Sequence, residues 1–249
     1  MSEPTITLYD IASGPPVRPF APNPCKARYA LNFKRQHNGV TYRTDWVDLS
    51  RVTEVRKSLG VDPVRKHQDN TDFYTLPVII LIGDSFDIAV YLDSQYPSRP
   101  GEPVLFPPST TALHRVFNER IDEIFTSHVV LAGTHMPLNP DTAELSKAEF
   151  SRRAGGMSWE QMGVEGEARV PILKSFEQAL SKINSLWYTR KNEGPFLEGA
   201  VPMYADLIVG GWLHMMKECL PEWEQLKRWD EGFWGQLHDA LNRYMDKTD

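Results

Sequence analysis

Hydrophobic and polar positions follow two different rhythms along this chain, and the change from one to the other divides it. ITLY (Ile6 to Tyr9) alternates and is rich in strand formers, which predicts a short strand. After a proline-broken loop, Ala27, Ala30, Leu31 and Lys34 recur at helical spacing. Proline is well tolerated in a first helical turn, so this helix is placed from about Pro24 and stops at His37-Asn38-Gly39. VTYRTDWVDL then reads as a second strand. Strand, helix and strand in this order imply parallel pairing and a right-handed crossover.

A Lys/Asp/Asn-rich loop (Arg65 to Asp72) leads to TLPVIILIG, a buried apolar run of strand type. DSFDIAVYLDSQY then places Phe86, Ile88, Ala89, Tyr91 and Leu92 on one helical face. YPSRPGEPVLFPPST is a proline-rich connector. From Ser109 onward only helical periodicity remains, in HRVFNERIDEIF, ARVPILKSFEQALSKINSLW, ADLIVGGWLHMMK and FWGQLHDALNRYM, while the stretch from Met157 to Gly166 reads as a loop. The expected fold class is α/β plus all-α: a small α/β domain over residues 1–97, a linker over 98–108 and a helical bundle over 109–249.

Composition narrows the function. A net charge of −6 without a basic stripe excludes a nucleic-acid binder, leaving small molecules or proteins as partners. Cys25 and Cys219 are too few for a disulfide framework and fit a reducing compartment. MSEPTITLYD has no apolar signal region, and no apolar run approaches the roughly 18 residues of a membrane span, so a cytoplasmic protein is expected.

Several motifs fail on their chemistry. Gly83-Asp84-Ser85-Phe86-Asp87 begins like a nucleophile elbow, but Asp87 stands where the second glycine must relieve crowding. There is no phosphate-cradling glycine loop. The seven histidines lack metal-binding spacing, so no metal is expected. Leu76-Pro77 is more informative: it is either an ordinary edge-strand proline or, if cis, a turn that offers the Leu76 backbone to an extended peptide ligand. Asp84-Ser85 at a helix start is either a plain cap or a carboxylate-binding N-terminus.

Together these features resemble the glutathione transferase superfamily across essentially the whole chain. LYD with a long Pro-rich loop, then RYAL, TLPV, YLD and YP, are most similar to the fungal-specific class A enzymes of wood-decay fungi and the related bacterial β-etherases. The resemblance implies a thioredoxin-like first domain, glutathione as co-substrate and a homodimer. It implies that Leu76 presents backbone groups to the cysteinyl part of glutathione, that Pro77 is cis and that Asp84-Ser85 hold the γ-glutamyl end. Lys66 or His67 would serve the glycyl carboxylate.

At the catalytic position the chain departs from that pattern. The related enzymes place Ser or Cys before a proline at this helix mouth, with a basic residue five positions on and an Arg two later. Here Lys26 and Arg28 keep the register while Ala21 fills the nucleophile-activating place. Alanine can neither donate to a thiolate nor supply a positive field. The Asn23 amide is ranked first as a replacement donor, with the helix N-terminus and Ser13 behind it. Cys25 is either an inert small hydrophobe or a thiol activated by the helix end, which would bring in reductase-type chemistry.

Two further departures concern the fold. Only six residues separate Pro77 from Asp84, whereas strand, turn and strand need roughly ten or more; the fourth strand is therefore expected to be vestigial, or a hairpin tip to be missing. Met203 stands where relatives carry a Ser or Thr cap, so the capping box with Asp206 is expected to stay open. Gly210-Gly211 are expected to permit close packing. Two functions compete: transfer of glutathione to aromatic electrophiles, including cleavage or reduction of them, and ligandin-type binding of aromatic or polyphenolic compounds. The acceptor pocket is expected at Phe20, Phe117 and Ile121, with Phe125 nearby on the same helix.

Overall fold

The computed structural model describes residues 6–67, 70–187 and 194–245. Strand β1 (Ile6–Ala12) pairs in parallel with β2 (Tyr42–Asp48), from Ile6 opposite Tyr42 to Ala12 opposite Asp48. Helix α1 (Pro22–Asn38) forms the crossover between them and starts two residues earlier than its apolar spacing indicates, because Pro22 already occupies the first helical position. The rest of the first domain comprises α2 (Val52–Ser58), the hairpin β3 (Arg65–Lys66) and β4 (Asp72–Phe73), the hairpin β5 (Val78–Ile79) and β6 (Ile82–Gly83), and α3 (Ser85–Gln95). The main sheet has the order β2-β1-β5-β6, with β5 antiparallel to both its neighbours.

The run TLPVIILIG, expected as one apolar strand, is in fact this second hairpin. Ile80 and Leu81 form its entire turn, with φ of 46° and 77°, so the fourth strand exists but is two residues long. The two side chains are 47% and 70% exposed. A two-residue hairpin loop with positive φ at both centres suits Asn-Gly, and a β-branched residue there is strained.

Beyond α3 the chain is helical: α4 (Thr111–Ser127), α5 (Ala143–Arg153), α6 (Arg169–Trp187), α7 (Tyr204–Cys219), α8 (Trp223–Leu226) and α9 (Trp229–Leu241), the last broken in its first turn at Asp230 to Gly232. Helix α7 is buried from Tyr204 to Met216 and lies directly on α1. A Cβ on Gly211 would stand 2.6 Å from the Pro22 carbonyl oxygen, and one on Gly210 would stand 2.4 Å from Leu241 Cδ1, so both glycines are required by close approach. The capping box at the start of α7 does close, contrary to expectation. Asp206 is fully buried and accepts from the N–H groups of Met203 (2.9 Å) and Leu197 (2.7 Å), while the Met203 thioether takes the place of the usual hydroxyl. Sulfur is a weak acceptor, so the carboxylate carries the cap.

Helix α1 has no solvent face from Pro24 to Lys34, and its three cations are buried with the rest. Each meets a carboxylate on a different element: Lys26 meets Asp122 of α4 (2.5 Å), Arg28 meets Asp10 of β1 (2.8 Å) and Lys34 meets Asp93 of α3 (2.7 Å). No helix among the described residues is long and apolar enough to cross a membrane.

Replacing the strained turn is expected to stabilise the fold. Ile80→Asn with Leu81→Gly should raise the unfolding free energy by about 1–2 kcal/mol, read from a denaturant midpoint shift at unchanged slope.

Candidate active site

Helix α1 opens with Pro22, Asn23 and Pro24 after the extended residue Ala21. Proline has no N–H, and the Cys25 N–H is already bonded to the Ala21 carbonyl at 3.0 Å. Asn23 is therefore the sole residue of the first three in the helix that presents a backbone N–H. Its side-chain amide makes no hydrogen bond among the described residues. Both donors stand at the edge of a cleft of about 180 Å³ that Ala21 and Asn23 help to line.

The cleft joins the two domains. On the first-domain side it is lined by Phe20, Ala21, Asn23 and Leu76; on the helical side by Val129, Met136, Phe150, Arg153, Trp212 and Met215. Phe20 lines this cleft. Ile121 and Phe125 are instead completely buried in the core, and Phe117 packs against that core outside the cleft lining. Helical spacing marks an apolar face of α4, but that face turns toward α6 and α7, and Trp212 and Met215 of α7 line the cleft instead. Trp212 is held in this wall by its indole N–H, which donates to Asp122 at 2.6 Å, and Asp122 also receives Lys26. Burial lowers the Lys26 pKa and the Asp122 charge opposes it.

Leu76-Pro77 is cis. The register of the short hairpin, Val78 opposite Gly83, sets this turn beside Asp84-Ser85. Asp84 caps α3 by accepting the Phe86 N–H at 2.8 Å while holding φ at 109°, and the buried Ser85 offers its carbonyl to the Tyr204 hydroxyl at 2.9 Å. A non-glycine residue in such a conformation persists only when its surroundings enforce it, and such residues cluster at functional sites. Arg56, which sequence reasoning missed, is the buttress. Buried beneath the turn, it donates to the carbonyls of Asp62 and Thr75 and packs so closely on Gly83 that a Cβ there would lie 2.3 Å from its guanidinium.

Three other expected residues fall elsewhere. Ser13 is buried in its own loop, 2.7 Å from the Gly14 carbonyl, and accepts the Arg18 N–H, so it stands apart from the cleft lining. Lys66 pairs with Asp72, and the His67 ring accepts from Arg152 at 3.3 Å. Both line a second, basic cleft of about 720 Å³ together with Arg65, Arg152 and Arg153. Arg153 lines both clefts and is tied to the Tyr74 carbonyl and to Glu149, whose carboxyl is held at about 2 by hydrogen bonds from Arg152 and Arg153. No sequence motif marks Arg153, because α5 lacks a periodic apolar face that would have identified it as a helix.

Cys25 is completely buried, and desolvation pushes its thiol well up, with the Asp10 charge adding to the shift. Burial likewise pushes Cys219 up to about 12. The activated-thiol alternative for Cys25 therefore has no support in its surroundings. Among the described residues no three His, Cys, Asp or Glu side chains are grouped to hold a metal.

Two outcomes follow from this geometry. Iodoacetamide should leave both cysteines of the native protein unmodified at neutral pH and label them only after denaturation, as mass spectrometry would register. Asp122→Ala should cost about 3 kcal/mol of stability in a urea titration, since Lys26 is left buried without its carboxylate.

The glutathione S-transferase C-terminal domain model matches residues 112–244. No curated protein sequence matches the chain. Among solved structures, a glutathione S-transferase of Ceriporiopsis subvermispora in complex with glutathione is 29% identical, covering 99% of this chain and 100% of that one with a TM-score of 0.84. The glutathione transferase GSTFuA2 of Phanerochaete chrysosporium is 26% identical over 98% and 99% of the two chains, with a TM-score of 0.79. The β-etherase LigF of Sphingobium sp. strain SYK-6, 14% identical over 97% and 98%, has a TM-score of 0.60 and shares the fold alone. A first α/β domain carrying a cis-proline turn beside a capped helix, a helical second domain, and a family match over more than half the chain lead to one conclusion: this chain belongs to the glutathione S-transferase family.

Proposed function

We propose that this chain binds glutathione along the line from Asp84-Ser85 through Leu76 to Asn23 and transfers it to hydrophobic aromatic electrophiles. The observation that carries this reading is Asn23, whose backbone N–H and unpartnered amide meet at the mouth of an apolar cleft. A free thiol of this kind ionises near 8.5, and a hydrogen bond to the charged form lowers that value. In the proposed reaction the thiolate forms a bond to the electrophilic carbon and the leaving group departs with its electron pair. Phe20, Trp212 and Met215 cover the acceptor's ring. The Ser85 hydroxyl and N–H hold the γ-glutamyl carboxylate, the remaining Asp84 oxygen takes the ammonium, and the glycyl carboxylate faces Arg153 and the basic cleft of Lys66 and His67. An ether oxygen as leaving group would make the same step an etherase reaction.

A second reading, a ligandin-type binding protein, is favoured by the Ala21 methyl, which removes the side-chain donor expected at this place. The two separate on turnover. With chlorodinitrobenzene as acceptor the wild type should be active, and Asn23→Ala should lower kcat/KM by about 10- to 100-fold. The same variant should raise the pH at which bound glutathione ionises by about one pH unit, as thiolate absorbance would record. A wild type that binds glutathione without turnover supports the ligandin. An Asn23→Ala enzyme equal to an active wild type removes Asn23 from the mechanism.

A further inference from the structure

The peptide between β4 and the cis turn belongs to neither β4 nor β5, and its two carbonyls are held from different domains. Arg56 of α2 donates to the Thr75 carbonyl, and Arg153 of α5 donates to the Tyr74 carbonyl at 3.1 Å. Leu76 follows directly. A backbone carbonyl outside a sheet ladder is placed by the donor it meets, so two guanidiniums decide where the Leu76 backbone stands.

Arg153 is a fixed arm. Its side chain is 11% exposed, its Nε donates to Glu149 at 2.9 Å, one Nη is given to Tyr74, and the guanidinium lies 5.0 Å from the Phe73 ring centre. Its helix is also fastened to the first domain at the other end. There Asp48, at the end of β2, receives the Asn139 amide at 3.2 Å and the Thr142 hydroxyl at 2.6 Å, just ahead of α5. Glu149 already matches the Arg153 charge, whereas Arg65, in the same basic cleft, has no carboxylate partner among the described residues. The cleft therefore holds a cation for an anionic ligand without drawing on Arg153.

We infer, on the glutathione reading proposed above, that Arg153 is a positioning residue for the thiol: from the helical domain it holds the Tyr74 carbonyl, and through it the Leu76 backbone, so that the cysteinyl sulfur stands at Asn23. Glutathione and its glycyl monoethyl ester, which lacks the glycyl charge, separate this role from simple capture of the glycyl carboxylate. Both are titrated calorimetrically into wild type, Arg153→Ala and Arg153→Lys, and the ionisation of each bound thiol is followed by thiolate absorbance. Lysine keeps the charge but has no planar fork to hold Glu149 and Tyr74 together. Both variants should bind both peptides about three- to tenfold more weakly. They should also raise the pH of thiol ionisation by about half a unit, toward that of the free thiol. Glu149 keeps Arg152 at 2.9 Å, so neither variant strands a charge and each should fold. A loss confined to the unesterified peptide and restored by lysine overturns the role of Arg153. So does a loss of affinity without a shift in ionisation, or wild-type behaviour of both variants. A wild type that binds neither peptide overturns the glutathione reading, and this role with it.

Discussion

The burial of α1 is the constraint on which the rest of the molecule depends. A helix with no solvent face cannot carry cations unless each finds an opposite charge, because desolvating an ammonium or guanidinium costs several kcal/mol. Lys26, Arg28 and Lys34 meet this condition in three directions, toward α4, β1 and α3. The helix is thereby fixed against both domains at once. Removing any one carboxylate would leave a stranded charge, so the pairs specify where α1 lies more than they add net stability.

That fixed position is what gives the mouth of α1 chemical meaning. Asn23 stands at a cleft whose far wall includes α7, and α7 approaches α1 to within the thickness of a glycine. Asp122 serves both helices, since it receives the buried ammonium of Lys26 and the indole of Trp212. The burial of α1 and the placing of Trp212 in the cleft wall thus share one carboxylate. Arg56 does the same for the first domain, holding the Thr75 carbonyl and packing under Gly83, so that the cis-proline turn and the start of α3 rest on one guanidinium.

Much of this was legible in the chain. Alternation located β1 and β2, helical spacing located α1, α3, α4, α6 and α7, and the paired glycines foretold close packing. The turn, the capped helix and the missing side-chain donor at Ala21 could all be read in order. What escaped has physical reasons. The apolar run after Pro77 looked like one strand because a turn made of Ile80 and Leu81 carries no turn residue. Phe117 and Ile121 sit on a true apolar face of α4, but periodicity says nothing about which neighbour a face meets, and the docking of α7 decides that. Met203 was judged as a missing hydroxyl, whereas Asp206 satisfies the helix start with two backbone donors of its own. The cations of α1 were visible, but their partners lie up to 96 residues away in the chain.

The two prolines flanking Asn23 have a consequence for how such a site can change. Each deletes one N–H from a helix end whose unpaired donors create its positive potential. The number of prolines in the first turn therefore grades the field at this mouth in discrete steps, without any change to the residue at position 21. The positive potential at this mouth is therefore adjustable through the backbone alone.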